Sequence, residues 1–117
     1  MNERKVELPS GGTAWIATVW DHRQATVMRR THYRLRRYTN RDGEWREDLT
    51  REEQDEKDEL VLEATALHVR TLVRRWENVR SPAGDELSFP DDVERMAEPD
   101  IQAIVAAIGN GEASPNA

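Results

Sequence analysis

The apolar positions between residues 50 and 79 recur with the period of an α-helix. Steps of four and three place one set of side chains on a common face. Thr50 and Glu53 form the T-x-x-E pattern of a capping box, which marks a helix start. The pattern therefore predicts one long central helix over residues 50–79, and its main apolar face comprises Leu62, Ala66, Val69, Val73 and Trp76.

A second, weaker apolar strip runs along another side of the same predicted helix. It consists of Leu60, Ala64 and Leu67, again spaced by four and three residues. A helix that is apolar on two sides usually packs against two bodies. In a chain of 117 residues, one of those bodies can be another molecule.

The N-terminal segment alternates between polar and apolar residues, as β-strands do. Two alternating runs flank the turn sequence Pro-Ser-Gly-Gly at residues 9–12. They predict a β-hairpin over residues 5–20. Trp15 and Trp20 fall on opposite faces of its second strand. We therefore expect at least one of them to be exposed as an anchor for a partner. The alternative is that the helices cover both.

The remaining elements are also predicted to be mainly helical. Asp21 is suited to cap an arginine-rich helix from about residue 23 to 38, and prolines open two short C-terminal helices at residues 90 and 99. Residues 78–80 and 86–89 can form a short hairpin. The fold class is thus a mainly helical α+β domain over residues 1–108, and residues 109–117 are expected to be a disordered tail. The last helix has the apolar stripe Ile101, Ile104, Val105 and Ile108.

Charge is distributed in blocks along this acidic chain, whose net charge is −6. Residues 1–46 hold ten Lys/Arg against five Asp/Glu, and residues 47–63 hold two against nine. We expect these blocks to pair within the molecule. The absence of cysteine excludes disulfides, thiolate zinc sites and cysteine nucleophiles. With no apolar run of the roughly 18 residues that span a bilayer, and no signal-peptide pattern, a cytosolic protein without membrane association is expected.

No sequence pattern states a catalytic, cofactor-binding or metal-binding site. The three histidines lack the spacing of helical metal ligands, and no glycine-rich phosphate-binding motif is present. We therefore predict that the protein is not an enzyme and uses no cofactor. Residues 29–41 interleave arginines with Tyr33 and Tyr38, which could bind phosphates and stack on bases. The acidic block that follows them makes nucleic-acid binding the least favoured of the binding functions.

Two stretches carry a family resemblance. They are V-E-L-P-S-G-G-T-A-W-I-A-T-V-W-D at residues 6–21 and L-V-R-R-W-E-N-V-R-S-P-A-G-D-E-L-S-F-P-D-D-V-E-R-M at residues 72–96. Together they comprise 41 of the 117 residues, and they describe turns and packing rather than a site. They resemble the tail assembly chaperone family of long-tailed actinobacterial phages or prophages.

The resemblance implies a non-enzymatic protein of the host bacterial cytoplasm. Such chaperones bind the long tape-measure protein and keep it soluble while tail-tube subunits assemble around it. Self-association is compatible with this role. The alternative is a structural virion protein, such as a head–tail connector or a tail component. The apolar positions that we expect to contact partners are Trp15, Trp20, Leu60, Ala64, Leu67, Ile101, Ile104 and Ile108.

Overall fold

A computed structural model describes residues 3–110, which form a three-stranded antiparallel sheet and three α-helices. The predicted α+β class, with more helix than strand, is confirmed. The strands lie side by side in the order β1-β2-β3. Single turns of 3-10 helix occupy Arg36–Tyr38 and Val93–Arg95. The main elements are β1 (Glu3–Glu7), β2 (Thr13–Ala17), α1 (His22–Leu35), α2 (Arg51–Leu72), β3 (Val73–Glu77) and α3 (Glu98–Asn110).

The predicted hairpin is present, although its strands are shorter than residues 5–20. Its turn closes with a hydrogen bond of 2.9 Å from the Leu8 N–H to the Gly12 carbonyl. Gly11 has φ +100°, a backbone conformation that favours glycine. A Cβ on Gly12 would lie 2.7 Å from the Asn78 carbonyl oxygen. Glycine is therefore needed at residue 12 because the turn packs directly against the backbone that follows β3.

A buried carboxylate joins this turn to the last helix. Asp100 is fully buried in the first turn of α3. It accepts hydrogen bonds from the Ser10 backbone N–H at 3.0 Å and from the Ser10 hydroxyl at 2.5 Å. The hydrogen bonds bring together residues that are 90 positions apart in sequence. The turn sequence thus has a tertiary role in addition to reversing the chain.

The predicted starts of the first two helices are confirmed. Asp21 and Gln24 form a capping box at α1, and Thr50 and Glu53 form one at α2. In each box, the side chain of the first residue accepts a hydrogen bond from the backbone N–H of the second residue. The side chain of the second residue accepts one from the backbone N–H of the first. Helix α1 ends at Leu35, three residues before the predicted end, and the chain continues as a 3-10 turn.

The predicted end of the central helix is wrong. Helix α2 stops at Leu72, and Val73–Glu77 forms β3 without an intervening loop. β3 pairs antiparallel with β2, so that Ala14 lies opposite Trp76. β-branched and aromatic side chains suit a strand, and the edge of β2 offers backbone partners. Tertiary pairing therefore overrides a helical spacing that Val73 and Trp76 also satisfy.

The C-terminal region contains one helix rather than the two that were expected. Val93–Arg95 forms only a 3-10 turn, and α3 begins at Glu98. Gly109 belongs to α3, whereas residues 111–117 of the expected tail lie outside the described residues. The short hairpin expected near residues 78–89 is reduced to one bridge between Arg80 and Glu86.

The hydrophobic core lies between one face of the sheet and helices α2 and α3. The indole of Trp76 closes one side of it: Nε1 donates to the Leu87 carbonyl at 3.0 Å, and the ring meets Phe89 edge-to-face at 5.1 Å. No helix within residues 3–110 is long and apolar enough to cross a membrane. The apolar residues that are fully inaccessible are Ala14, Ile16, Val69, Leu72, Val79, Val93 and Ile104.

Candidate protein-binding surface

Helices α1 and α2 form an antiparallel pair that is only partly covered by the rest of the protein. The packing partners of α1 are mainly α2 and the 3-10 turn that follows α1. Thr31 of α1 and Ala64 of α2 are buried where the two helices meet. No residue of α2 before Ala64 is buried. The first half of α2 therefore reaches beyond the hydrophobic core, and both helices present open outer faces.

The predicted apolar strip on α2 borders α1. Ala64 is enclosed by that contact, Leu60 is half-buried, and Leu67 is 39% exposed. The three residues line a narrow cleft of about 50 Å³ together with Leu35 and neighbouring residues of α1. The strip is therefore not fully spare, because its centre belongs to the helix pair. Only Leu60 and Leu67 offer accessible apolar surface.

Leu62 differs from its expected place on the core-facing side of α2. Its side chain is 68% exposed, whereas Val69 on the same predicted face is fully buried. The difference arises because Leu62 lies in the part of α2 before Ala64, which extends past the core. Helical periodicity gives the direction of a side chain but not the length over which a neighbour covers it.

The isoleucines of α3 pack inside the protein. Ile104 is fully buried in the core, and Ile101 and Ile108 pack against the same cluster. These positions were expected to contact a partner, but in this fold they hold α3 against α2 and the hairpin. Ile104 offers no accessible surface, and binding at any of the three would compete with the core.

The hairpin tryptophans have different surroundings. Trp15 lies on the outer face of the sheet, where the Arg75 guanidinium sits 3.9 Å from the centre of its ring. This stacking covers part of the indole and is a cation–π interaction. Trp20 follows β2 and is half-buried. Its Nε1 is buried, and no group within residues 3–110 accepts its hydrogen. The structure thus leaves both tryptophans partly accessible.

Two ionisable side chains at the helix pair have pKa values shifted by their surroundings. Burial raises the pKa of Tyr38, and the hydrogen bond of 3.1 Å from its hydroxyl to Glu56 raises it further. Burial lowers the pKa of His68, which lines an open groove of about 790 Å³ with Met28 and His32. The Nε2 atom of His68 is buried without a partner among the described residues.

We expect the stability of the protein to fall with pH below about 6.5 because of His68. Its pKa is lower in the folded state, so the unfolded chain takes up a proton first as pH falls through the ordinary histidine pKa of about 6.5. The contribution of His68 to the free energy of unfolding is therefore fully present above that pH and is lost on acidification. His68→Leu is expected to flatten this part of the profile, measured by urea unfolding between about pH 7 and pH 5.

The exposed His22 provides a control for this titration. His22→Gln should leave the slope unchanged. A wild-type slope that survives His68→Leu would contradict the assignment.

Glu53 affects the stability of the protein at lower pH, since hydrogen bonds from Thr50 lower its pKa. Its contribution is present above its ordinary pKa and is lost below it.

The expected pairing of charge blocks occurs only sparsely. One ion pair within residues 3–110 connects α1 to α2, between Arg34 and Glu63 at 3.7 Å. Arg46 bonds to the nearby Asp48 at 2.9 Å. Most charges on the outer faces of the two helices therefore remain exposed to solvent. Within the described range, no three His, Asp or Glu side chains converge as a metal site.

Comparison with known proteins adds no relative. No family model matches the chain, and no curated protein or solved structure shows significant similarity to it.

Proposed function

We propose that this protein is a non-catalytic tail assembly chaperone of a long-tailed phage or prophage. Its partners would be the tape-measure protein and tail-tube subunits in the host bacterial cytoplasm. The proposal is motivated by the resemblance of residues 6–21 and 72–96 to that family. The open apolar surface on the α1–α2 pair supports it, since a chaperone must cover apolar helices of its client.

The observation that carries the proposal is the accessible border of the α2 strip. Leu67 is 39% exposed and Leu60 is half-buried, although both are large aliphatic residues on a helix. They lie beside Arg34 and Glu63, which supply polar edges to the same cleft. The cleft itself is too small to hold a helix, but accessible apolar side chains with polar edges can pack against the apolar stripe of an amphipathic helix. Tape-measure helices would present such stripes before the tail tube covers them.

Co-expression tests the proposed function. The chain is produced together with a tape-measure protein encoded in the same genome, and the soluble fraction is assayed by pull-down. We expect the long protein to remain soluble and to co-purify with this chain. Finding this chain in purified phage particles, with no effect on tape-measure solubility, would instead assign it to the structural virion proteins.

Leu67→Asp should abolish tape-measure binding while the protein stays folded. A charge at this partly exposed position removes the apolar contact, and we expect a stability change of no more than about 1 kcal/mol. Leu67→Met is the matched control because it preserves apolar surface and is expected to bind normally. Pull-down measures binding, and circular dichroism with urea unfolding measures folding. Unfolding of Leu67→Asp would place Leu67 in the core.

A further inference from the structure

The outer faces of α1 and α2 carry opposite charges. We define the basic face as Arg29, Arg30, Tyr33 and Arg37, which lie on α1 and the 3-10 turn after it. We define the acidic face as Glu52, Asp55, Glu59 and Leu62 on α2. Arg30, Tyr33 and Arg37 recur at intervals of three and four, and Arg29 lies four residues before Tyr33; the acidic set also recurs at intervals of three or four, so each set shares one side of a helix. Every one of these eight side chains is exposed.

The basic face has no neutralising partner close by in sequence. Residues 22–41 contain seven arginines and no Asp or Glu. Its three arginines form no ion pair within residues 3–110; Arg34 beside them pairs with Glu63 at the flank. Tyr33 stands among these arginines with 72% of its surface exposed. An exposed aromatic ring surrounded by arginines is the composition of a protein-interface hot spot.

The acidic face has the complementary composition. Glu52, Asp55 and Glu59 form no ion pair within the described part of the chain. Leu62 follows them on the same side of α2 and is 68% exposed. Tyr33 and Leu62 are the two most exposed large apolar side chains between residues 3 and 110. Each charged face therefore contains one apolar residue that the monomer leaves in water.

We propose that the basic face of one copy docks on the acidic face of a second copy. The contact pairs arginines with carboxylates and packs Tyr33 of one copy near Leu62 of the other. Such an arrangement combines an apolar contact with neighbouring charge pairs, as specific interfaces do. One contact of this kind pairs charges of both faces and covers the apolar residue of each.

A nucleic acid explains these faces less completely. It could bind the arginines and stack on Tyr33, but it would leave Leu62 exposed and the carboxylates unpaired. The acidic face and the net charge of −6 would also repel it. A second copy, by contrast, supplies the missing charge of both faces.

The proposed contact is heterologous, because it joins two different faces. A pair formed this way keeps one free basic face and one free acidic face. Further copies can add at these ends until the assembly closes into a ring or continues as a filament. The average mass should therefore increase with protein concentration rather than stop at a dimer.

Sedimentation of the purified full chain tests the proposal without any phage partner. We expect the average mass to rise with protein concentration at low salt. Raising ionic strength from about 0.01 to 1 M shortens the Debye length from about 30 to 3 Å, which should weaken the association. A wild-type protein that stays monomeric at low salt and high concentration would overturn the proposal.

Charge reversal identifies the faces. Arg30→Glu/Arg37→Glu reverses the basic face, and Asp55→Arg/Glu59→Arg reverses the acidic face. Each variant alone should associate at least about 100-fold more weakly, since like charges would then oppose each other. Mixing the two variants should restore a complex, because the first keeps the native acidic face and the second keeps the native basic face.

Two controls separate this contact from general charge effects. Arg4→Glu/Arg80→Glu changes the net charge by the same amount at exposed residues elsewhere and should leave association intact. Arg30→Lys/Arg37→Lys should retain most of it. Failure of the mixed variants to form a complex would contradict the proposal. Nucleic-acid binding that is lost only on reversal of the basic face, without self-association of the wild type, would assign that face to nucleic acid.

Discussion

Ile104→Ala should lower the free energy of unfolding by about 2–5 kcal/mol, the range for truncating a large aliphatic side chain in a packed core. Ile104 is fully buried in the cluster that joins α3 to the sheet and α2. Truncation removes apolar contacts and leaves a cavity that the surroundings fill only partly. A loss of this size is large for a small domain, whose total stability is about 5–15 kcal/mol.

Val105→Ala is the matched control for this truncation. Val105 is the next residue of α3 and is only half-buried, so we expect a cost below about 1 kcal/mol. Urea unfolding at one protein concentration compares the two variants with the wild type. Equal, small effects would show that Ile104 is not the centre of the core. They would favour the original expectation that this helix contacts a partner.

Asp100→Ala is expected to destabilise the protein by about 2–3 kcal/mol, because the carboxylate accepts two charge-assisted hydrogen bonds from Ser10. Asp100→Asn keeps an acceptor oxygen and should cost less. The exposed Asp91 gives a control, and Asp91→Ala should have little effect. Thermal and urea unfolding of all three variants measure the difference.

A double-mutant cycle assigns the cost of Asp100→Ala to its contact with the hairpin turn. Ser10→Ala removes the hydroxyl donor but keeps the backbone N–H. If the hydroxyl bond is formed as described, the two substitutions should be less than additive, with a coupling of about 1 kcal/mol. Strict additivity would mean that Asp100 stabilises α3 independently of Ser10.

The parts of the fold that were predicted correctly depend on local chemistry. The capping residues Asp21 and Thr50 each satisfy a backbone N–H a few residues away, so their effect can be recognised in a short window of sequence. The Gly-Gly turn of the hairpin has the same local character. These signals located the hairpin and the starts of α1 and α2.

The errors arose where distant residues decide the structure. Val73 and Trp76 fit both a helical face and a strand, and pairing with β2 selects the strand. The contact between Ser10 and Asp100 spans 90 residues and has no local signature. Local periodicity could predict neither this strand nor this contact, because both depend on which surfaces meet after folding.

The candidate surface was predictable in outline but not in detail. The spacing of Leu60, Ala64 and Leu67 correctly placed them on one side of α2. It could not show that α1 would close over Ala64 and leave Leu67 accessible. Leu62 and Tyr33 were not identified together as candidate contact residues, because they lie on different helices. Their shared feature, high exposure beside unpaired charges, becomes visible only when the helices are placed.

Because α2 continues directly into β3, the sheet sets how α2 is rotated about its own axis. Leu72 is the last helical residue and Val73 is already in the sheet, so no loop separates the helix from the strand. Successive residues of an α-helix are offset by about 100° around its axis. One residue inserted at this junction would therefore turn Leu60, Ala64 and Leu67 away from α1. The pairing of β3 in the sheet thus determines which side of α2 faces α1.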